Sequence, residues 1–211
     1  MKQNQDYTLS FTAASLMFFE TLQIAKLYLK FENWDLVAKE VTEENFLQKG
    51  TVSTRKREFS EIKKRLIALE KEELEFIIYA SSDELKLFCL YLCARTYRLI
   101  YEFIVEVIRE KYLLYDYVIY DSDYTKFYES KKLSSPKLQK ISQKTEYKLK
   151  QVIFRILEQA GLIDNVKTKN IQKPYISEEI EEIVAKYNPN YLSIFLYSNS
   201  DIKALKKEQN V

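Results

Sequence analysis

The sequence predicts an all-α fold, that is, a compact multi-helix globular protein, and two observations support this class. Glycine and proline are scarce, with 2 and 3 residues among 211, whereas average usage is about 7% and 5%. The chain therefore lacks most of the turn residues that β-hairpins need. Leucine, isoleucine, lysine and glutamate recur instead, much of the time at helical spacing.

Periodicity, capping residues and helix breakers predict the individual elements. Gly50 and Gly161 each end a helix, and Ser81 with Glu84 forms a capping box at the start of a long central core helix. Segment 162–175 has no helical period and is expected to be a loop or a small hairpin. The predicted helices cover residues 12–30, 33–41, 42–49, 51–69, 72–80, 81–112, 122–133, 142–160, 177–187 and 188–201.

A linker around Pro136 divides the chain into two predicted domains. Leu133-Ser134-Ser135-Pro136 is the best candidate boundary. The first domain, 1–133, would contain a part that resembles a helix-turn-helix together with the long core helix. The second, 134–211, would be a helical domain packed on it, with a frayed polar tail after residue 201.

Several catalytic and metal-binding classes lack the residues that they need. Histidine is absent, and Cys89 and Cys93 are the only cysteines. Serine–histidine and cysteine–histidine catalysis are therefore excluded, and tetrahedral zinc ligation cannot be completed. No glycine-rich loop could cradle a nucleotide phosphate. We expect a non-catalytic protein without metal or cofactor, in which both cysteines are small buried apolar side chains.

The sequence also indicates where the protein resides. The lack of a disulfide framework favours a reducing compartment. The polar N-terminus shows no signal peptide. Charged residues interrupt the apolar stretch 85–120 too often for a membrane span. A cytoplasmic protein with no membrane contact is expected.

The strongest functional signal is the basic helix over 51–69. Arg55, Lys56 and Arg57 lie in its first turn, where cations oppose the helix macrodipole but where free backbone N–H groups can bind a phosphate. Glu61 is spaced to neutralise Arg65. The side chains predicted to face outward are Lys56, Arg57, Ser60, Lys63 and Lys64. An ordinary solvated surface is the alternative interpretation.

A second basic region strengthens the case for a nucleic-acid partner. Lys144, Lys148 and Arg155 share one face of helix 142–160, opposite Ile153 and Leu157. Acidic residues gather elsewhere, over 32–44, 70–75 and 178–182. Such segregation is typical of proteins that neutralise several phosphates together. The tyrosines fall mostly in apolar runs and are expected in the core, with stacking against single strands as the alternative.

Three segments carry a family resemblance. YTLSFTAASLMFFETLQIAKLYL, NFLQKGTVSTRKREFSEIKKRL and QVIFRILEQAGLI resemble the BrxA family of BREX bacteriophage-exclusion systems over residues 6–163. The resemblance implies a cytoplasmic, monomeric, all-helical protein that binds double-stranded DNA beside a methyltransferase and other BREX proteins. It implies no catalytic residues. Lysine stands here where relatives often carry arginine, which favours backbone contact over base-specific readout.

Together these observations predict a DNA-binding accessory protein of a phage-defence system, with transcriptional autoregulation as a special case. The predicted DNA-binding residues are Arg55, Lys56, Arg57, Ser60, Lys63, Lys64, Lys144, Lys148 and Arg155. The alternative is a protein-interaction scaffold whose charged faces dock other defence proteins and whose nucleic-acid binding is incidental.

Overall fold

Helices form nearly all of the regular structure in the computed structural model, which describes residues 6–48 and 50–208. Two 3-10 helices (Ser10–Ala13 and Pro189–Phe195) and a π-helical segment (Ile104–Arg109) accompany the α-helices. The α-helices are α1 (Phe18–Phe31), α2 (Trp34–Thr42), α3 (Val52–Leu66), α4 (Lys71–Tyr79), α5 (Ser82–Thr96), α6 (Arg98–Phe103), α7 (Glu110–Leu113), α8 (Asp121–Ser134), α9 (Pro136–Lys140), α10 (Gln143–Gln159), α11 (Glu178–Tyr187) and α12 (Asn199–Glu208).

The all-α class is confirmed. Over the described ranges, extended pairing is limited to two isolated antiparallel bridges, Val118 with Asn170 and Ile163 with Ile171. The first bridge holds segment 162–175 against the chain that precedes α8, and the second pairs the two ends of the segment with each other. The segment is therefore a loop closed by one hairpin-like bridge. Gly161 ends α10 with a φ of 75°, a left-handed conformation that glycine adopts without strain.

Helix α5 is the centre of the core. Ser81 caps it through the predicted capping box, with the Glu84 carboxylate accepting the Ser81 N–H at 3.0 Å. Cys89 and Cys93 are fully buried and unpaired, as predicted. One hydrophobic cluster includes α5 and residues on both sides of the proposed boundary at 133. The division into domains 1–133 and 134–211 stays a prediction.

The long central helix predicted over 81–112 is wrong, because the chain breaks at Tyr97. Its backbone is extended, at φ −122° and ψ 96°, and separates α5 from α6. The Tyr97 ring is fully buried against Phe11, and its hydroxyl donates to Glu61 at 2.7 Å. No proline or glycine marks the break, so the sequence carries no local signal for it.

The predicted helix over 12–30 is too long at its start. Residues 10–17, which we call the N-terminal strap, form a short 3-10 turn and then an extended stretch before α1 begins at Phe18. The backbone carbonyls of 14–16 face Arg65 of α3 instead of bonding within a helix. Arg65 donates to the oxygens of Ala14 at 3.2 Å, Ser15 at 2.9 Å and Leu16 at 2.9 Å.

Glu61 does not neutralise Arg65, contrary to the prediction. It binds the N-terminal strap from a different direction by accepting a hydrogen bond from the Ser10 hydroxyl at 2.8 Å. Burial raises the pKa of Glu61, but hydrogen bonds from Lys64 and the Tyr97 hydroxyl contribute to lowering it below its ordinary value. The carboxylate therefore stays ionised at neutral pH although it is buried.

The part that was expected to resemble a helix-turn-helix has a different geometry. The predicted helix over 42–49 is wrong over its described residues, since residues 43–48 form turns; Lys49 lies outside the described residues. Helices α2 and α3 pack together, but segment 43–51 connects them. This connection is longer than the three or four residues of a helix-turn-helix.

The C-terminal elements match the predictions in part, and helix α9 begins at the end of the predicted linker, where no helix was expected. Ser142 and Ser177 cap α10 and α11 as expected. Helix α8 begins at Asp121, not at Ser122. The single helix predicted over 188–201 is instead the 3-10 helix Pro189–Phe195 followed by α12. The predicted fraying after 201 is wrong up to 208, and the last three residues lie outside the described ranges.

Replacing Arg65 by methionine tests the importance of the strap contacts. The guanidinium is 2% exposed, and its removal leaves three carbonyl oxygens without their donor. We expect a loss of about 3 kcal/mol, or roughly 10 °C in Tm for a chain of this size. Thermal unfolding followed by circular dichroism measures it, with the exposed α12 residue Lys203 changed to methionine as control. Equal melting of both variants would contradict the structural role of Arg65.

Candidate nucleic-acid interface

The first turn of α3 presents fewer cations to solvent than the sequence predicts. Thr51 caps the helix, and its side chain accepts the Thr54 N–H at 3.2 Å. Arg55 is turned inward and is 8% exposed. Its guanidinium donates to the Thr42 carbonyl at 2.9 and 3.0 Å and to the Gly50 carbonyl at 2.6 Å. Arg55 therefore joins the end of α2 to the start of α3, and its contact with a phosphate stays a prediction.

The other predicted residues of α3 divide into two groups. Lys56, Arg57 and Ser60 are exposed, and none of the ion pairs of the described residues involves Lys56 or Arg57. Lys63 is half-buried, with its ammonium 5.5 Å from the centre of the Trp34 ring. Lys64 is exposed but forms an ion pair with Glu61 at 2.5 Å.

The outward face of α10 is the clearest basic surface. Lys144, Lys148 and Arg155 are exposed, while Ile153 and Leu157 on the opposite side are fully buried. Within the described part of the chain, none of the three cations forms an ion pair. They follow helical spacing over about 16 Å of the axis, at about 1.5 Å per residue. The exposure predicted for these side chains is confirmed, and their contact with DNA stays a prediction.

A groove of about 630 Å³ runs beside this face, and we call it the α10 groove. The N-terminal strap, α10, the start of α8 and the loop after Gly161 form its walls. Its lining residues are Thr12, Ala13, Ala14, Ser15, Asp121, Tyr147, Lys148, Lys150, Gln151, Val152, Phe154, Arg155, Val166 and Lys169.

Asp121 is the acidic side chain in the lining of the α10 groove, and two cations neutralise it. Lys150 lies 3.2 Å and Lys169 3.0 Å from the same carboxylate oxygen. Hydrogen bonds from Lys169 and Lys150 hold the pKa of Asp121 below its ordinary value, so these pairs persist at neutral pH. Among the described residues, the charges of Lys148 and Arg155 have no counterion within 4 Å.

The N-terminal strap connects the two basic helices. Both α3 and α10 contact its 3-10 turn, Ser10–Ala13. Lys64 of α3 donates to the Ser10 hydroxyl at 3.1 Å, and Gln159 of α10 accepts the Leu16 N–H at 3.0 Å. Lys64 of α3 and the α10 cations Lys148 and Arg155 therefore border a common segment, which the sequence did not reveal.

Acidic side chains gather on another part of the protein, as their distribution along the chain predicts. Lys186 of α11 pairs with Glu72 of α4, and Glu179 accepts a hydrogen bond from the Tyr79 hydroxyl. Glu72, Glu179 and Glu182 line a shared surface depression. We call this surface the acidic face; its residues belong to helices that contribute nothing to the α10 groove.

The described residues contain neither a cluster suited to a metal ion nor a membrane-spanning helix. Across the described residues, no group of three or more cysteine, aspartate or glutamate side chains is placed to hold a metal ion. No helix in the same ranges is long and apolar enough to cross a bilayer.

Comparison with known proteins identifies the family. The model of the BrxA family matches residues 5–188. The chain belongs to the BrxA family. A BREX protein BrxA from Bacillus cereus (strain H3081.97) is 31% identical over 199 residues, which cover 93% of this chain and 99% of the relative. Membership of the BrxA family implies a role in BREX phage defence.

A solved structure supports the fold. A crystal structure of an uncharacterized protein from Magnetospirillum magneticum superposes with a TM-score of 0.80 at 22% identity, over 91% of this chain and 98% of the other. At this identity the similarity concerns the helical fold and not the function.

Alanine substitutions in α3 distinguish the buried Arg55, which links two helices, from the exposed Lys56 and Arg57. Arg55→Ala removes the donor that links α2 to α3, so we expect a loss of about 1–3 kcal/mol in the free energy of unfolding. The double variant Lys56→Ala/Arg57→Ala changes exposed side chains and should stay within about 0.5 kcal/mol per site. Urea unfolding measures both. Similar unfolding midpoints for the two variants would argue against the inward placement of Arg55.

Proposed function

We propose that this chain is a non-catalytic, double-stranded DNA-binding accessory protein of a BREX phage-defence system. The observation that carries the proposal is the row of exposed cations without ion pairs along α10, at Lys144, Lys148 and Arg155. Lys56 and Arg57 of α3 would extend the contact to a second helix. The interface proposed here therefore depends more on α10 than on the first turn of α3.

Binding of this kind would be directed at the DNA backbone. Three of the five exposed cations are lysines, each of which would act mainly as a point charge on the backbone. Backbone contacts fix the position of a protein on a duplex without reading its sequence. We therefore expect weak discrimination among sequences, including the promoter of the protein's own gene.

Salt dependence tests the proposal. If five cations each displace a counterion, the logarithm of the binding constant should fall with the logarithm of salt concentration with a slope on the order of −4. The variant Lys144→Ala/Lys148→Ala/Arg155→Ala should weaken binding and make this slope less negative by roughly 2 to 3. Fluorescence anisotropy with a short labelled duplex, titrated at several salt concentrations, gives both quantities.

A matched control removes three positive charges elsewhere. Lys26, Lys126 and Lys203 are exposed on α1, α8 and α12, and their triple alanine variant has the same net charge as the α10 triple variant. The control should bind with nearly the wild-type slope. Equal losses in the two variants, or wild-type affinity that is independent of salt, would refute a DNA interface at α10.

The acidic face favours a second role, that of a protein scaffold. Glu72, Glu179 and Glu182 are clustered away from the α10 groove and suit a basic partner surface. Other BREX proteins, including the methyltransferase, are the proposed partners, bound by a cytoplasmic monomer. Affinity capture from nuclease-treated cells distinguishes the roles. Partners retained by the wild type and lost from Glu72→Lys/Glu179→Lys favour the scaffold; partners released by nuclease favour DNA binding.

A further inference from the structure

Tyr147 is an aromatic side chain on the basic face of α10, and it does not take part in core packing. It is 63% exposed and lines the α10 groove. Among the described residues it makes no ring contact and no hydrogen bond. Two core tyrosines behave differently: Tyr91 of α5 and Tyr97, between α5 and α6, are fully buried and contact other rings.

The position of Tyr147 places its ring among groups that bind nucleotides. It lies three residues after Lys144 and one turn before Gln151, with Arg155 a further turn along the same face. The ring, an amide and the cations on either side therefore occupy one stripe of the helix. Across the groove, Thr12 and Ser15 of the N-terminal strap contribute hydroxyl groups.

The groove also has an apolar floor. Val152 and Phe154 are buried and contribute to its lining. The Lys169 ammonium lies 5.5 Å from the centre of the Phe154 ring and is held there by its ion pair with Asp121. A planar group that enters the groove would meet apolar surface below and positive charge at the rim.

This combination suits an unpaired base better than a duplex. A base inside a duplex is already stacked on both faces, so it must leave the stack before a tyrosine ring can cover it. Single-strand binding sites combine a positively charged groove with exposed aromatic rings. The volume of about 630 Å³ is in the range of pockets for small ligands and is too small to admit a double helix.

We propose that the α10 groove binds a segment of single-stranded DNA, with a base stacked on Tyr147 and its flanking phosphates held by Lys148 and Arg155. This assignment rests on the proposed DNA-binding function, since the same cations contribute to both. It adds a second mode of recognition, in which the protein holds one strand where a duplex is opened or ends.

Binding of a short labelled oligothymidylate and of a duplex, each to the full chain, tests the assignment. Tyr147→Leu should weaken single-strand binding about ten-fold, because stacking contributes about 1–3 kcal/mol per base. Tyr147→Phe keeps the ring and should bind the single strand nearly as the wild type does. Duplex affinity should be unchanged in both variants, since phosphate contacts do not need the ring.

Tyr175→Leu is the matched control, because Tyr175 is 90% exposed and lies outside the groove lining. It should leave both affinities unchanged. Single-strand affinity that survives Tyr147→Leu, or that Tyr175→Leu lowers equally, would overturn the stacking assignment while duplex binding stands. If the wild type binds no duplex at any salt concentration, the proposed double-stranded DNA-binding function fails. Binding of oligothymidylate that still depends on Tyr147 would in that case support the single-strand assignment of the groove.

Discussion

The Arg65 guanidinium fixes the N-terminal strap against α3, and the shape of the basic surface depends on this contact. Three successive carbonyls of the strap converge on one buried cation. A guanidinium suits this task because its donors are rigid and planar and cannot be deprotonated. With the strap held in place, its residues become one wall of the α10 groove. A buried structural cation thus supports a surface on which exposed cations can act.

The sequence predicts well those features that depend on local periodicity. The amphipathic pattern of α10 correctly separates Lys148 and Arg155 from the buried Ile153, and serine caps mark the starts of α5, α10 and α11. Local composition also predicts the helical class, because too few glycines and prolines are present for hairpins. These properties are set by neighbours within one or two turns.

Features that depend on distant acceptors could not be predicted in this way. Arg55 and Arg65 look like surface cations in the sequence, but carbonyls of remote segments draw them into the interior. Tyr97 interrupts the helix predicted over 81–112, and its hydroxyl binds Glu61, 36 residues earlier. Tyr147 is different. Helical spacing in the sequence places it on the same face as Lys144 and Gln151, but only the structure shows that it is exposed in a groove. Tertiary contacts therefore decide which charges remain available to a partner.

Lys150 and Lys169 share the carboxylate of Asp121, and this sharing bears on how easily a bound anion would dissociate. A phosphate that approaches these two ammonium groups must displace a carboxylate, so it exchanges one anion for another and gains little attraction. If the α10 groove binds DNA as proposed, this internal anion would compete with the phosphates and shorten the time that the DNA stays bound. The proposed DNA complex would then combine a surface that is charged enough to attract DNA with one that is balanced enough to release it.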